Sequence, residues 1–185
     1  MIKVNKTVDV IVFAGQSNMS GRGNVANATL CDEKAGFEYK AVSNPEMLVP
    51  ITEPFGLMRI KSVQFETDGD TDISASVYTQ NTIDLFDTFK QHGAEVCFLV
   101  QTGHYNYVDY PNGSGSLSAK AYDERYAVIR NAQTALCENN DNFILAGSFE
   151  GYIADMIDQY HYNQHAYNEV GKSVGKAMAE WVLMK

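Results

Sequence analysis

The string Gly15-Gln16-Ser17-Asn18-Met19 follows directly on the apolar run Val8–Ala14. A serine at a strand-to-loop turn presents its hydroxyl beside backbone N–H groups, the geometry an acyl-transfer nucleophile needs. A second piece, Asp158-Gln-Tyr-His161, stands just ahead of the last helical pattern. Asp and His three residues apart on one turn can share a side of the chain. The carboxylate then holds Nδ1–H while Nε2 faces a hydroxyl. Each piece alone has a plain explanation: a turn serine capping a helix, or a solvated pair at a helix start. His165 and His104 compete for the base role. His165 lacks an Asp three residues before it, and His104 meets Asp109 only across a tyrosine-rich loop. Surface or groove-lining positions are the ordinary reading of both.

Other groups could do chemistry too. Asp68-Gly-Asp70-Thr-Asp72 has the look of a calcium loop, but its glycine is misplaced and Thr79 stands where a bidentate Glu belongs. A carboxylate-rich helix N-cap is the simpler reading. Tyr105, Tyr107 and Tyr110, with Asn106 and Asn112, could stack on a sugar or form a solvated loop. Cys31, Cys97 and Cys137 are odd in number and widely spaced. They read as free thiols of a reducing compartment, neither zinc ligands nor a disulfide framework.

These side chains need elements to hold them. Val8–Ala14 is short, β-branched and apolar, as a strand buried on both faces would be. Residues 20–57 look irregular, with a short strand pair around Glu38–Val42 and Leu48–Ile51. Arg59–Phe65 reads as a second core strand, running into the acidic stretch Thr67–Asp72 as a turn and helix cap. Tyr78, Thr82, Phe86 and Phe89 recur at helical spacing between Ile73 and Lys90, with Gly93 as C-cap. Strands follow at Glu95–Val100 and Asn142–Ala146, separated by a helix from Ser118 to Glu138. A last helix over Gln164–Leu183 carries Val170, Val174, Ala177, Met178 and Trp181 on one stripe. Alternating strands and helices predict an α/β layer fold with a parallel sheet.

The 185 residues suit one domain over 1–185. With 14 basic and 23 acidic side chains the formal net charge is −9, and no Lys/Arg cluster stands out. That balance argues against nucleic acid and anionic membranes as partners, since both need phosphates neutralised. The apolar run 8–14 is too short for a signal peptide and carries Asp9. No run reaches the ~18 apolar residues of a membrane span. The expected location is cytoplasmic.

Taken together, Ile11-Val-Phe-Ala-Gly-Gln-Ser-Asn-Met-Ser-Gly-Arg-Gly23 and Asp158-Gln-Tyr-His-Tyr-Asn-Gln-His-Ala-Tyr-Asn-Glu-Val-Gly171 resemble the sialate O-acetylesterase-like carbohydrate esterases. These lie close to carbohydrate esterase family six, within the SGNH (GDSL-like) hydrolase superfamily. Glu38–Pro45 and Glu53–Gly56 look like the region after the nucleophile in bacterial members. The resemblance implies a flavodoxin-like three-layer α/β/α sandwich and serine esterase chemistry without metal or cofactor. Ser17 would be the nucleophile, His161 the general base and then acid, and Asp158 its orienting partner. Gln16, Asn18, Gln64 and Glu66 would serve the oxyanion and the substrate. The substrate would be a small-molecule or glycan acetyl ester.

The middle of the chain departs from that pattern. Where the family carries Gln-Gly-Glu-x-Asp, this sequence reads Gln64-Phe65-Glu66-Thr67-Asp68, with a side chain in place of a glycine. Only Leu57–Val63 separate Gly56 from Gln64, too few for the helix–strand–helix excursion expected there. The sheet should therefore shorten to about four strands and lose one oxyanion donor. The edge around Val10–Phe13 would be uncovered, which predicts a homodimer or a rewrapped edge. Two functions of different class are compatible with these residues. One is an esterase removing O-acetyl groups from carbohydrates; the other is a non-catalytic relative that binds a sugar or a partner. The intact nucleophile and base blocks favour the esterase.

Overall fold

The computed structural model describes Asn18 and residues 23–30, 36–40, 44–50, 74–113 and 117–185. The strands expected at Val8–Ala14 and Arg59–Phe65, the stretch Thr67–Asp72, Cys31, Phe65 and the candidates Gln16, Ser17, Gln64 and Glu66 lie outside the described residues.

Strands β1 (Phe37–Lys40) and β2 (Asn44–Pro50) pair antiparallel, with Phe37 opposite Pro50 and Lys40 opposite Asn44. β2 begins at Asn44, ahead of the expected Leu48.

Helix α1 spans Ala75–Lys90. The Ser74 hydroxyl caps it, accepting from the Val77 N–H at 3.3 Å. This corrects the expectation of an acidic cap further upstream. An extended serine just before the first turn satisfies the orphan donor by itself. The far end closes at Gly93, whose φ of 95° is left-handed. There the Gly93 N–H donates to Lys90 O and the Ala94 N–H to Phe89 O.

Strands β3 (Cys97–Gln101) and β4 (Phe143–Ser148) run parallel, joined by helix α2 (Ala119–Asn139) as the crossover that parallel strands require. Helix α3 (Gln164–Leu183) has the bounds its apolar stripe predicts, and Asn163 caps it by accepting from the Ala166 N–H at 3.1 Å. Among the described residues the architecture is mixed α/β, with a small parallel sheet and a separate antiparallel ribbon.

The pleat of β3 divides its side chains between two helical faces. Cys97 and Leu99 pack with Phe86 of α1, Leu136 of α2 and Phe143 of β4. The Phe86 and Phe143 rings meet edge-on at 5.1 Å. On the other face Phe98 meets Trp181 of α3 at 6.0 Å, and Val100 joins Phe149, Ala166 and Val170. Burial of each large apolar side chain contributes about 1.5–3 kcal/mol. The ladder between the two strands slips once. Leu99 faces Leu145 but Val100 faces Gly147, so Ala146 is an extra residue in β4. The slip sets Ser148 opposite Gln101, and its hydroxyl donates to Gln101 Oε1 at 2.7 Å.

Cys97 and Cys137 are free thiols. Burial, with Cys137 nearby, pushes the Cys97 thiol up to about 11, and burial alone raises Cys137. No helix among the described residues is long and apolar enough to cross a membrane.

Candidate active site

The segment between β4 and α3 folds back on itself. Met156 and Tyr162 form an antiparallel bridge, and the Ile157 N–H donates to His161 O at 2.8 Å. Within it Asp158 organises the turn through both oxygens. Its Oδ1 accepts the backbone N–H groups of Tyr160 and His161, each at 2.8 Å. Its Oδ2 lies 2.7 Å from His161 Nδ1. An aspartate that bonds its own backbone two and three residues on is a local turn former, so the sequence spacing alone builds the pair. Burial pushes the Asp158 carboxyl up, but the Tyr160 N–H, the His161 side chain and the His161 N–H outweigh it and hold the group below its usual value. With Nδ1 donating to a carboxylate, Nε2 of a neutral ring is the acceptor. No described residue bonds that nitrogen, and the His161 side chain keeps 17% of its exposure.

Two anchors hold the turn from below. Tyr162 is buried and stacks on Phe149 at 4.6 Å, and its hydroxyl accepts the His104 N–H at 2.9 Å. Burial comes first among the causes that push this phenol up to about 12. The loop after β3 adds the Asn106 N–H, which donates to Gln159 O at 3.1 Å.

The block after the predicted nucleophile docks on the same turn. Asn18 Nδ2 donates to Tyr160 O at 3.1 Å, and Asn18 Oδ1 accepts from the Tyr167 hydroxyl at 2.8 Å. Further along, the Thr29 N–H donates to Asn168 Oδ1 at 3.2 Å and Asn168 Nδ2 to Asn27 O at 3.0 Å. Gly23 lies so close to Gln164 that an added Cβ would sit 2.9 Å from its Cα. Thus Asn18, His161 and Asp158 come together. Ser17, peptide-bonded to Asn18, lies outside the described residues, as do Gln16, Gln64 and Glu66. Of the Asn18 carbamoyl, expected to face oxyanion or substrate, one N–H is used on the turn and the oxygen on Tyr167 of α3.

The other histidines are differently engaged. His104 Nδ1 lies 2.9 Å from Asp123 Oδ1, and its Nε2 lies 2.9 Å from the Glu150 carbonyl. Asp109, weighed as its partner from sequence, instead receives Asn106 Nδ2 at 3.0 Å. His165 is largely exposed, and its Nδ1 lies 3.3 Å from Asp155 Oδ1. Of the three, His161 alone combines a short carboxylate bond on Nδ1 with an Nε2 that no described carbonyl occupies.

Sequence reasoning missed a buried polar cluster beside the site. Arg130 of α2 donates to Gly103 O and lies 3.4 Å from Glu150 Oε1 and 3.9 Å from Asp123 Oδ1. The signal was present: Arg130 continues the inward four-residue step Tyr122–Tyr126, where a charge asks for partners. The tyrosine loop divides. Tyr105 is fully buried against Tyr122 and Tyr160 at 4.8 and 5.6 Å, which removes it from any sugar-stacking surface, whereas Tyr107 is exposed.

Among the described residues no group of three or more His, Cys, Asp or Glu is placed to hold a metal ion. No family model, curated protein or solved structure matches the chain.

Proposed function

We propose that the protein is a serine esterase that removes O-acetyl groups from carbohydrates, with Ser17 as nucleophile, His161 as base and Asp158 as its orienting partner. The observation that carries this reading is the seat of Asn18, next to Ser17 in the chain, on the Tyr160 carbonyl next to His161. In the reaction His161 Nε2 takes the Ser17 hydroxyl proton as Oγ bonds to the acetyl carbon. The tetrahedral oxyanion collapses, the sugar oxygen leaves with that proton, and an acetyl-serine remains. Water, deprotonated by the same imidazole, then bonds to the acetyl carbon, and the Ser17 oxygen leaves with that proton as acetate is released. Asp158 holds the ring orientation and stabilises the imidazolium that forms at each step.

The finer architecture proposed is a three-layer α/β/α sandwich around a shortened parallel sheet of about four strands. Helices against both faces of the β3–β4 pair support it, as does the β3–α2–β4 crossover. The test is hydrolysis of an activated acetyl ester by the protein and its Ser17→Ala variant over roughly pH 5 to 9, which spans histidine titration. Turnover that disappears in Ser17→Ala and rises with pH through one ionisation is expected. Equal rates from two folded proteins would overturn the esterase reading and leave sugar binding as the function to test.

A further inference from the structure

We propose that Tyr167 is a positioning residue whose hydroxyl holds Asn18, the chain neighbour of Ser17, against the turn that carries His161, an inference that rests on the esterase reading. Three hydrogen bonds close a ring around His161. Asn18 Nδ2 donates to Tyr160 O at 3.1 Å, the Tyr167 hydroxyl donates to Asn18 Oδ1 at 2.8 Å, and the Tyr162 N–H donates to the Tyr167 oxygen at 3.4 Å. Tyr160 and Tyr162 flank His161 in the chain, and Asn18 follows Ser17. The ring therefore grips the chain neighbours of both proposed reacting groups.

A tyrosine suits this place because its hydroxyl gives and accepts at once on a rigid stem. Tyr167 stands in the first turn of α3, with its ring edge-on to Phe149 at 5.8 Å and to Tyr162 at 6.5 Å. The hydroxyl is thus fixed by helix and core, while Asn18 reaches it from the far end of the chain. Without that oxygen Asn18 keeps one bond to the turn and can swing about it. Small displacements of this kind are costly, since a misplacement of about 1 Å can lower turnover about 100-fold.

The test is Tyr167→Phe, which keeps the ring and removes one oxygen. Turnover of an activated acetyl ester should fall about ten- to hundred-fold, with KM within about two-fold of wild type. Unchanged kcat, or a loss confined to KM, overturns the proposal. A second readout needs no turnover. With Ser17→Cys in place, alkylation at position 17 by iodoacetamide, followed by peptide mass, is measured against pH. A thiol paired with His161 reacts well below the ordinary thiol range, near about 8.5. That acid reactivity should be present with Tyr167 and lost in Tyr167→Phe. Its persistence in both proteins overturns the positioning role and leaves the esterase reading standing. Its absence from both shows that residue 17 does not face His161, which defeats the esterase reading as well. Asn18→Ala opens the same ring from its other side and gives the same readouts if Tyr167→Phe does not fold. The double substitution should lose little beyond either single one.

Discussion

The Tyr162 hydroxyl occupies the space that a side chain at Gly103 would fill. A Cβ built on Gly103 would fall 2.7 Å from Tyr162 Cζ and 2.9 Å from Phe149 Cβ. The end of β3 and the turn that carries His161 are therefore in backbone-to-ring contact, and the His104 N–H bond to the same hydroxyl depends on that closeness. The glycine is needed here for room.

Gly103→Ala should accordingly destabilise the fold by about 1–3 kcal/mol, the usual cost of overpacking a filled core. Urea unfolding measures it. Activity should suffer beyond the change in stability, because Tyr162 cannot yield without moving its neighbour His161. A variant as stable as wild type would show that the contact is looser than described.

Asp158→Asn keeps the size of the side chain and much of the turn, but an amide no longer fixes Nδ1–H on the ring. Loss of the orienting carboxylate from such a pair lowers turnover by up to about 10⁴-fold. Steady-state kinetics should show most of that loss in kcat. A fall below about ten-fold would show that the Asp158 carboxylate does not orient a catalytic histidine.

The depressed Asp158 carboxyl also predicts acid behaviour. A carboxyl held lower in the folded than in the unfolded chain contributes stability that is complete above its unfolded value, near about 3.9, and is lost as pH falls through the lower folded one. Unfolding of wild type and Asp158→Asn should therefore show its full difference above about pH 4 and converge in stronger acid. With the Asp158 side chain 43% exposed, solvent screening keeps the effect small. A gap that widens as pH falls below about 4 would contradict the assigned bonds.

Much of this was legible in the residue order. Helix α3 appears with its expected bounds because Asn163, Val170 and Val174 carry cap and stripe in one local pattern. The Asp158–His161 pair is legible for the same reason, since both partners sit on one turn. The Ser74 cap is not legible in the same way, because the upstream carboxylates offer equally good capping chemistry. The pairing of His104 with Asp123, and of Gly103 with Tyr162, joins residues on different elements, and spacing along a chain carries no record of contacts across loops. Asn18 shows the same limit. The resemblance gives it an oxyanion or substrate role, and no spacing along the chain shows that its side chain also meets Tyr160 and Tyr167.

The grip of Asn18 on α3 has a consequence for the order in which the molecule folds. The Asp158–His161 contact spans three residues and can form as soon as that turn does. The bond from Tyr167 to Asn18 spans 149 and must wait for a long loop to close. The His161 ring is thus oriented early, while Asn18 is clasped late. A chain caught part-way would hold the Asp158–His161 pair already made while Asn18 was still unbound, so on the proposed esterase reading activity on refolding would lag behind formation of that turn.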